Sequence, residues 1–545
     1  MTVAANNLAV LRQKLETAKA VFDANRIGEA AQAYRDIIND NPDQPDALYM
    51  LAAIAYRMGK IELALQLYEE TLRVAPNFSP AWSNRALILR LLGRDEEALQ
   101  SGRKAIACDP KQADGWDITG LILRAKRQYP ASLQHHVRAH ALNPGNQHIQ
   151  NNYAVALATC GQLSEAYKAA KAALAIDPAF AIAELTIGNI FGERGWPEQA
   201  VAHYRKASML DPNFVEAVAS EGRSLMLMGD LEEGWAKMEK RDYDEQRFSS
   251  TPRWQGEKVG HLLLNAEQGV GDIIHFFRYV PLICDRVQNV SFEVPATMKH
   301  LIGAHAPDSI IVTPDDPLPT ADAHGLLMSL PYICKTRLNN IPAPIPYIHA
   351  KEEWRAPWRE RLKTLSRPYI GIVWMGNPLY ANNHNRSIEL SQVQPLFDTA
   401  RPCLVSVQKG STTATASNAG IFDADPWLKD FTDTAGLIAE LDLVVTVDTG
   451  IAHLAGAMGK PVWTMLPFTP DWRWMLGRED TPWYPTMRLF RQKIPKDWPE
   501  AIARVVAELR KYISGDQSVL QPPQWNGKVL RQNPCALQLP EEVSN

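Results

Sequence analysis

The sequence predicts two architectures in series: an α-solenoid of stacked helix pairs, then an α/β region of two Rossmann-like halves. Three observations predict this. Prolines recur at Pro42, Pro76, Pro110, Pro144, Pro178 and Pro212, each 34 residues after the last. A track of small residues runs in phase with them: Ala30, Ala64, Ala98, Ser132, Ala166 and Ala200. Beyond about residue 250 that beat stops, and short β-rich runs alternate with helix-length segments.

Each track of the first region has a physical reason. A small residue lets two antiparallel helices approach closely, and Gly59, Gly93, Gly161, Gly195 and Gly229 relieve the turn between them. Proline cannot continue a helix from its interior, so it ends one unit and opens the next. Each unit keeps an apolar face that only a neighbour can cover, so the units stack into a superhelix with a concave groove. Tyr34, Tyr68 and Tyr204 follow the small residue by four, Trp82 and Trp116 lie one period apart, and Gly120 follows Trp116 by four. This pattern resembles the tetratricopeptide repeat from about residue 9 to 246, and the array is set at residues 1–248. Such a groove implies a protein or peptide partner. Asn84 and Asn152 occupy equivalent places two periods apart, where the O-linked N-acetylglucosamine transferases grip an acceptor backbone. With so few asparagines, ordinary polar surface is the favoured reading.

In the second region the runs are "HLLLNA", "NVSFEV", "SIIVTP", "YIGIVW", "CLVSVQ", "DLVVTV" and "PVWTML". Strands separated by helix-length segments argue βαβ units and parallel sheets. The Pro-rich "NNIPAPIPYIHA" divides them into a first half at 249–350 and a second at 351–514. Two such halves leave a cleft at the strands' carboxyl ends. The tail, 515–545, has little periodicity and is expected to be disordered.

Composition narrows the partners. A net charge of −4 gives no reason to expect nucleic acid or an anionic membrane surface. The six cysteines are scattered without metal spacing and read as reduced thiols. The first twenty residues lack an apolar signal core, and no apolar run is long enough to span a bilayer. A cytoplasmic protein is expected.

Two loops carry the chemistry. "LLLNAEQGVGDIIHFF" ends a strand in a loop with Gly269 and Gly271, then Asp272 and, one turn on, His275. A dinucleotide fingerprint requires a third glycine where Ile274 stands, and Glu293 lies inside its strand instead of after it. The alternatives for Asp272 are a helix cap and a general base. In "VVTVDTGIAHLAGAMGKPV" a strand delivers Asp448, Thr449 and Gly450 to the start of a helix that carries His453. Free N–H groups and a partial positive charge there suit a phosphate, while Asp or Thr before a helix also serves as a plain cap.

The stretch "DTAGLIAELDLVVTVDTGIAHLAGAMGKPVW", preceded far upstream by Gly271, Asp272 and His275 in G-D-x-x-H order, resembles the heptosyltransferase-like GT-B glycosyltransferases over about residues 259–512. Joined to a tetratricopeptide array, it is similar to bacterial protein glycosyltransferases that modify flagellin. The resemblance implies that Asp272 takes the acceptor's proton in an inverting displacement and that His275, the histidine of G-D-x-x-H, is catalytic with it. It also implies that Arg386, in "ANNHNRS", meets the leaving phosphate. Gln408 and Lys409 in "SVQKG" are candidates for the nucleotide, although a solvated loop charge is the commoner fate of a lone cation. Trp472, Trp474 and Trp483 are assigned to structure first. The one D-x-D, Asp423 to Asp425, falls in an expected surface loop, and GT-B enzymes typically work without a metal, so neither metal nor cofactor is expected. The expectation is transfer from a nucleotide-sugar, a nonulosonic acid donor being the first guess, to Ser or Thr of a protein. The rivals are a binding module or flagellar chaperone with an inert transferase half, and a sugar-nucleotide epimerase.

Overall fold

The computed structural model describes residues 3–243, 246–380, 382–410 and 420–538. The chain divides into two compact units, the first running to Ile190 and the second from Phe191 to Leu539. The boundary falls inside the helix Ala181–Glu193.

The first unit is a run of antiparallel helix pairs in which 13-residue helices such as Pro45–Arg57 and Ser79–Leu91 alternate with 14-residue ones such as Ile61–Val74 and Asp95–Cys108. The sequence tracks fall where the physics requires them. Ala30, Ala64, Ala98 and Ala166 are fully buried, and Ser132 nearly so. Gly59, Gly93 and Gly161 take positive φ of 72–81° at the turn, a conformation that costs an L side chain strain. Arg127 and Asn25 stand at the equivalent turns and adopt positive φ without that freedom. The second helices end at Asp40, Val74, Cys108, Leu142 and Ile176, each two residues before its proline. The two asparagines are engaged inside the array. Asn84 donates to the hydroxyls of Tyr49 and Tyr68, both at 3.1 Å. Asn152 donates to the Asp117 carboxylate at 2.9 Å.

In the second unit the first sheet has the order β3-β2-β1-β4 and the second β10-β9-β8-β5-β6-β7, with every pairing parallel. The first comprises β1 (Val259–Asn265), β2 (Val287–Glu293), β3 (Ile310–Val312) and β4 (Ala323–Leu326). The second comprises β5 (Ile370–Val373), β6 (Leu404–Ser406), β7 (Phe422–Asp423), β8 (Leu443–Val447), β9 (Val462–Leu466) and β10 (Met487–Arg491). Alternation divides the second sheet's core. Ile370, Ile372, Leu443, Val445 and Val447 pack with the helix Trp498–Ile513, whereas Val373 and Val444 join the cluster shared with the first sheet. β1 and β8 are each followed by a helix that starts at the carboxyl edge of its sheet: Val270–Phe277 and Gly450–Ala457. β8 pairs with β5 at the point where the strand order reverses, the place at which open parallel sheets bind ligands.

The compact units do not part at 248/249, because the helices Pro197–Leu210, Val215–Leu227 and Leu231–Met238 belong to the α/β unit. Trp235, 1% exposed, meets Phe276 and Trp472 edge-on at 5.9 and 5.0 Å, so the last repeat completes the α/β core. The tail is ordered through residue 538. Asn533 donates to the Phe468 carbonyl at 2.9 Å, its backbone N–H reaches Gly195 O at 2.8 Å, and Arg531 pairs with Asp230. Periodicity is absent there because the segment is held by side-chain and backbone bonds to other elements. Among the described residues no helix is long and apolar enough to cross a membrane.

Candidate functional site

The two loops singled out by sequence meet. A Cβ on Gly271 would lie 2.9 Å from His453 Cδ2 and 3.5 Å from Gly450 Cα. A Cβ on Gly450 would lie 2.9 Å from the Val270 side chain. Glycine at both positions therefore lets the starts of the two helices touch, so the partial positive charges of both starts lie side by side. Thr449 stands at the cap position of the Gly450–Ala457 helix but makes no side-chain cap; its hydroxyl contacts Thr446 Oγ1 at 3.2 Å.

Asp272 is the third residue of its helix. Its Oδ2 accepts the Gly269 N–H at 3.1 Å, so the cap reading is realised. Its Oδ1 pairs with Arg473 Nη2. The side chain is still 27% exposed, and an ionised carboxylate has lone pairs left after these two bonds. Burial, and secondarily the Asp471 carboxylate, raise the Asp272 carboxyl above its ordinary pKa, against the pull of Arg473 and the Gly269 N–H.

Sequence reasoning missed Arg473. It is buried, pairs with Asp471 at 2.9 Å as well as with Asp272, and lies 4.2 Å over the Trp472 ring. It also missed Tyr484, whose hydroxyl is shared by His275 Nδ1 at 3.1 Å and His453 Nδ1 at 2.9 Å. Burial holds both imidazoles well below their ordinary pKa, so both are neutral at physiological pH. His275 is fully buried behind Asp272, against Trp483 at 4.5 Å, which makes it part of the wall. Trp474 stacks on His453 at 5.4 Å. The three tryptophans are core, as expected, but they are the core that shapes this site.

Asp448 is carried up to a pKa of about 6 by burial first and by the Asp471 carboxylate next, opposed by Trp474, Arg386 and Arg473. Arg386 thus acts on the same space. It lies 4.3 Å over the Tyr380 ring with its Nε buried and without a partner. Among the described residues no contact brings Gln408 or Lys409 into this cluster. The Gln408 carbonyl accepts the N–H groups of Trp374 and Met375 at 3.3 and 3.0 Å, and so holds β5 against the end of β6. Lys409 pairs with Asp425 at 2.8 Å, and Asp425 also accepts Gly410 N–H, so that loop's carboxylate has partners in the protein.

A stability prediction follows from Asp448. Its folded pKa of about 6 lies above its unfolded value, so the native state binds the extra proton between them. That stabilisation is complete at low pH and is lost as pH rises through about 6. Asp448→Asn removes the charge that is uncompensated above that point. It should therefore raise thermal stability at pH 8 by roughly 1–3 kcal/mol and have little effect at pH 4. Melting curves at the two pH values check this, and equal shifts at both would refute it.

Comparison with known proteins identifies relatives of both regions. The tetratricopeptide repeat model matches residues 15–73, 49–113 and 185–214. The glycosyltransferase family 9 (heptosyltransferase) model matches residues 429–499, which hold Asp448, Thr449, Gly450, His453 and Arg473. Protein FlbA of Caulobacter vibrioides is 24% identical over 433 residues, 66% of this chain and 72% of that one. A tetratricopeptide repeat protein of Parabacteroides merdae is 17% identical, over 44% of this chain and 96% of its own, with a TM-score of 0.35. A chain of the APC/C hetero-tetramer Cut9–Hcn1 is 16% identical, over 39% of this chain and 43% of that one, with a TM-score of 0.38.

Proposed function

We propose that this chain, which joins tetratricopeptide repeats to a heptosyltransferase-like glycosyltransferase domain, moves a sugar from a nucleotide donor to a Ser or Thr hydroxyl of a protein. The observation that carries the reading is the contact of the two helix starts at Gly271 and Gly450, which sets a part-exposed carboxylate beside a phosphate-type site. In this reading the acceptor oxygen attacks the anomeric carbon and its proton goes to Asp272. The sugar's bond to the donor phosphate breaks, and the electron pair leaves with the nucleotide. That charge meets the N–H groups at the start of the Gly450–Ala457 helix, with Thr449, His453 and Arg386 around it. Inversion at the sugar, independence of metal, the protein acceptor and flagellin as the first candidate follow the resemblance. Neutral His453 suits a donor of hydrogen bonds better than a counter-charge, which leaves Arg386 as the cation for the phosphate.

The test is incubation of the purified chain with nucleotide-sugars and flagellin, read by mass spectrometry of Ser and Thr peptides. Transfer is expected. Isomerised donor without acceptor would favour the epimerase, and no donor turnover would favour the binding module. Arg386→Ala and His453→Ala should each weaken nucleotide affinity by about tenfold, since a hydrogen bond to a charged group contributes about 1.5–3 kcal/mol. Calorimetric titration with nucleoside mono- and diphosphates measures it. Unchanged affinity in both variants would place the donor elsewhere.

A further inference from the structure

Within the first unit, a groove of about 800 Å³ is lined chiefly by the second helices of two successive repeats, Ile61–Val74 and Asp95–Cys108. Trp82 and Arg85 of the intervening helix Ser79–Leu91 complete it. The charges of this lining do not cancel. Glu69 is matched by Arg85 at 2.9 Å, and Arg85 also donates to Ser101 at 2.6 Å. Arg73 is matched by Glu70 at 2.7 Å and Asp43 at 2.8 Å. Arg103 and Lys104 are exposed on the groove and make no side-chain hydrogen bond or ion pair among the described residues. Beside them is an apolar wall. Leu72 is 8% exposed, and Trp82 is half-buried with its N–H already given to the Pro76 carbonyl at 2.8 Å, which leaves the ring only apolar or π contacts to offer.

We propose that this groove docks a short acidic segment of a partner protein, one aromatic or leucine side chain of which packs on Trp82 and Leu72 while its carboxylates meet Arg103 and Lys104. Two exposed cations without a hydrogen bond or ion pair among the described residues, Arg103 with only a through-space attraction to Glu96, stand next to a desolvating ring and give both parts of such recognition: charge complementarity for approach and register, and an apolar anchor for affinity. The site lies on the second-helix side of the repeats and shares no residue with the transferase cleft, so it stands whether or not the chain transfers sugar.

The experiment selects a displayed random-peptide library on the full chain, then measures the best peptide by fluorescence anisotropy. Enriched peptides should combine Asp or Glu with one aromatic or leucine. The pair Arg103→Glu with Lys104→Glu should weaken binding by about tenfold or more and remove most of its salt dependence. Both positions are exposed, so the fold should be unaffected, and a melting curve verifies it. Enrichment without acidic bias, no enrichment, or an affinity unmoved by the charge reversal each overturns the proposal.

Discussion

Asp272→Asn should lower the transfer rate by about a hundredfold to ten-thousandfold while nucleotide affinity stays within about twofold. The amide keeps the shape of the carboxyl group and can still accept the Gly269 N–H, but it cannot take a proton from an acceptor hydroxyl. The same replacement removes one of the two carboxylates on buried Arg473 and leaves Asp471 as its remaining partner. A loss of stability therefore accompanies it, and the melting temperature has to be read together with the rate. A pH profile separates the two effects. The base must be ionised to act, and burial raises the Asp272 carboxyl, so the wild-type kcat/KM should rise with pH through a pKa above that of an ordinary aspartate. That acid limb should be missing from the residual activity of the variant. A variant that melts earlier but turns over at the wild-type rate would leave Asp272 with only its capping and pairing roles.

How far the sequence carried this site depends on the range of each signal. The repeats were legible because their determinants recur at one spacing: the alanines are buried, the glycines take positive φ, and the helices stop before their prolines. All seven expected strands are present, because apolar β-rich runs between helix-length segments are a local pattern. β4, β7 and β10 escaped notice. "AHGL" is short and contains glycine, β7 has two residues, and "MRLFR" alternates arginine with apolar residues inside an aromatic segment. Asp272 and His453 were found because each follows a strand at a helix start. Their partners were not, since Arg473 is 201 residues from Asp272 and Tyr484 is 209 from His275. One clue was present in "PDWRWML". An arginine between two tryptophans in a core-like stretch needs a buried carboxylate as its partner, and Asp272 and Asp471 supply it. Gln408 shows the converse failure. Position after a strand does not say where a side chain turns, and this one turns to its neighbouring strand's backbone.

Removing residues 1–248 should abolish folding of the remainder, whereas a shortened chain that begins at Pro178 should fold and bind nucleotide. By sequence period alone the two cuts are equivalent, because repeat units contact only their neighbours. The packing distinguishes them. Met226, Leu231, Trp235 and Met238 are buried in the same cluster as Phe276, Trp472 and Leu264. Stripping Trp235 alone uncovers on the order of 200 Å² of apolar surface, about 5 kcal/mol at 25 cal/mol per Å², comparable with the whole stability of an ordinary domain. A cut at Ser249 also removes Asp230, the partner of Arg531, and Gly195 and Arg194, which hold the tail. The chain cut at Pro178 keeps these elements and the whole of the helix in which the units divide. On the proposed function it should nevertheless modify a folded acceptor poorly, because without most of the array the cleft meets that acceptor at a low effective concentration. Circular dichroism and nucleotide titration test the folding part, and mass spectrometry of the acceptor tests the rest. A well-folded, nucleotide-binding fragment starting at Ser249 would show that the last repeat is a lid on the α/β core rather than part of it. Full modification by the fragment starting at Pro178 would mean that the cleft itself reads the acceptor.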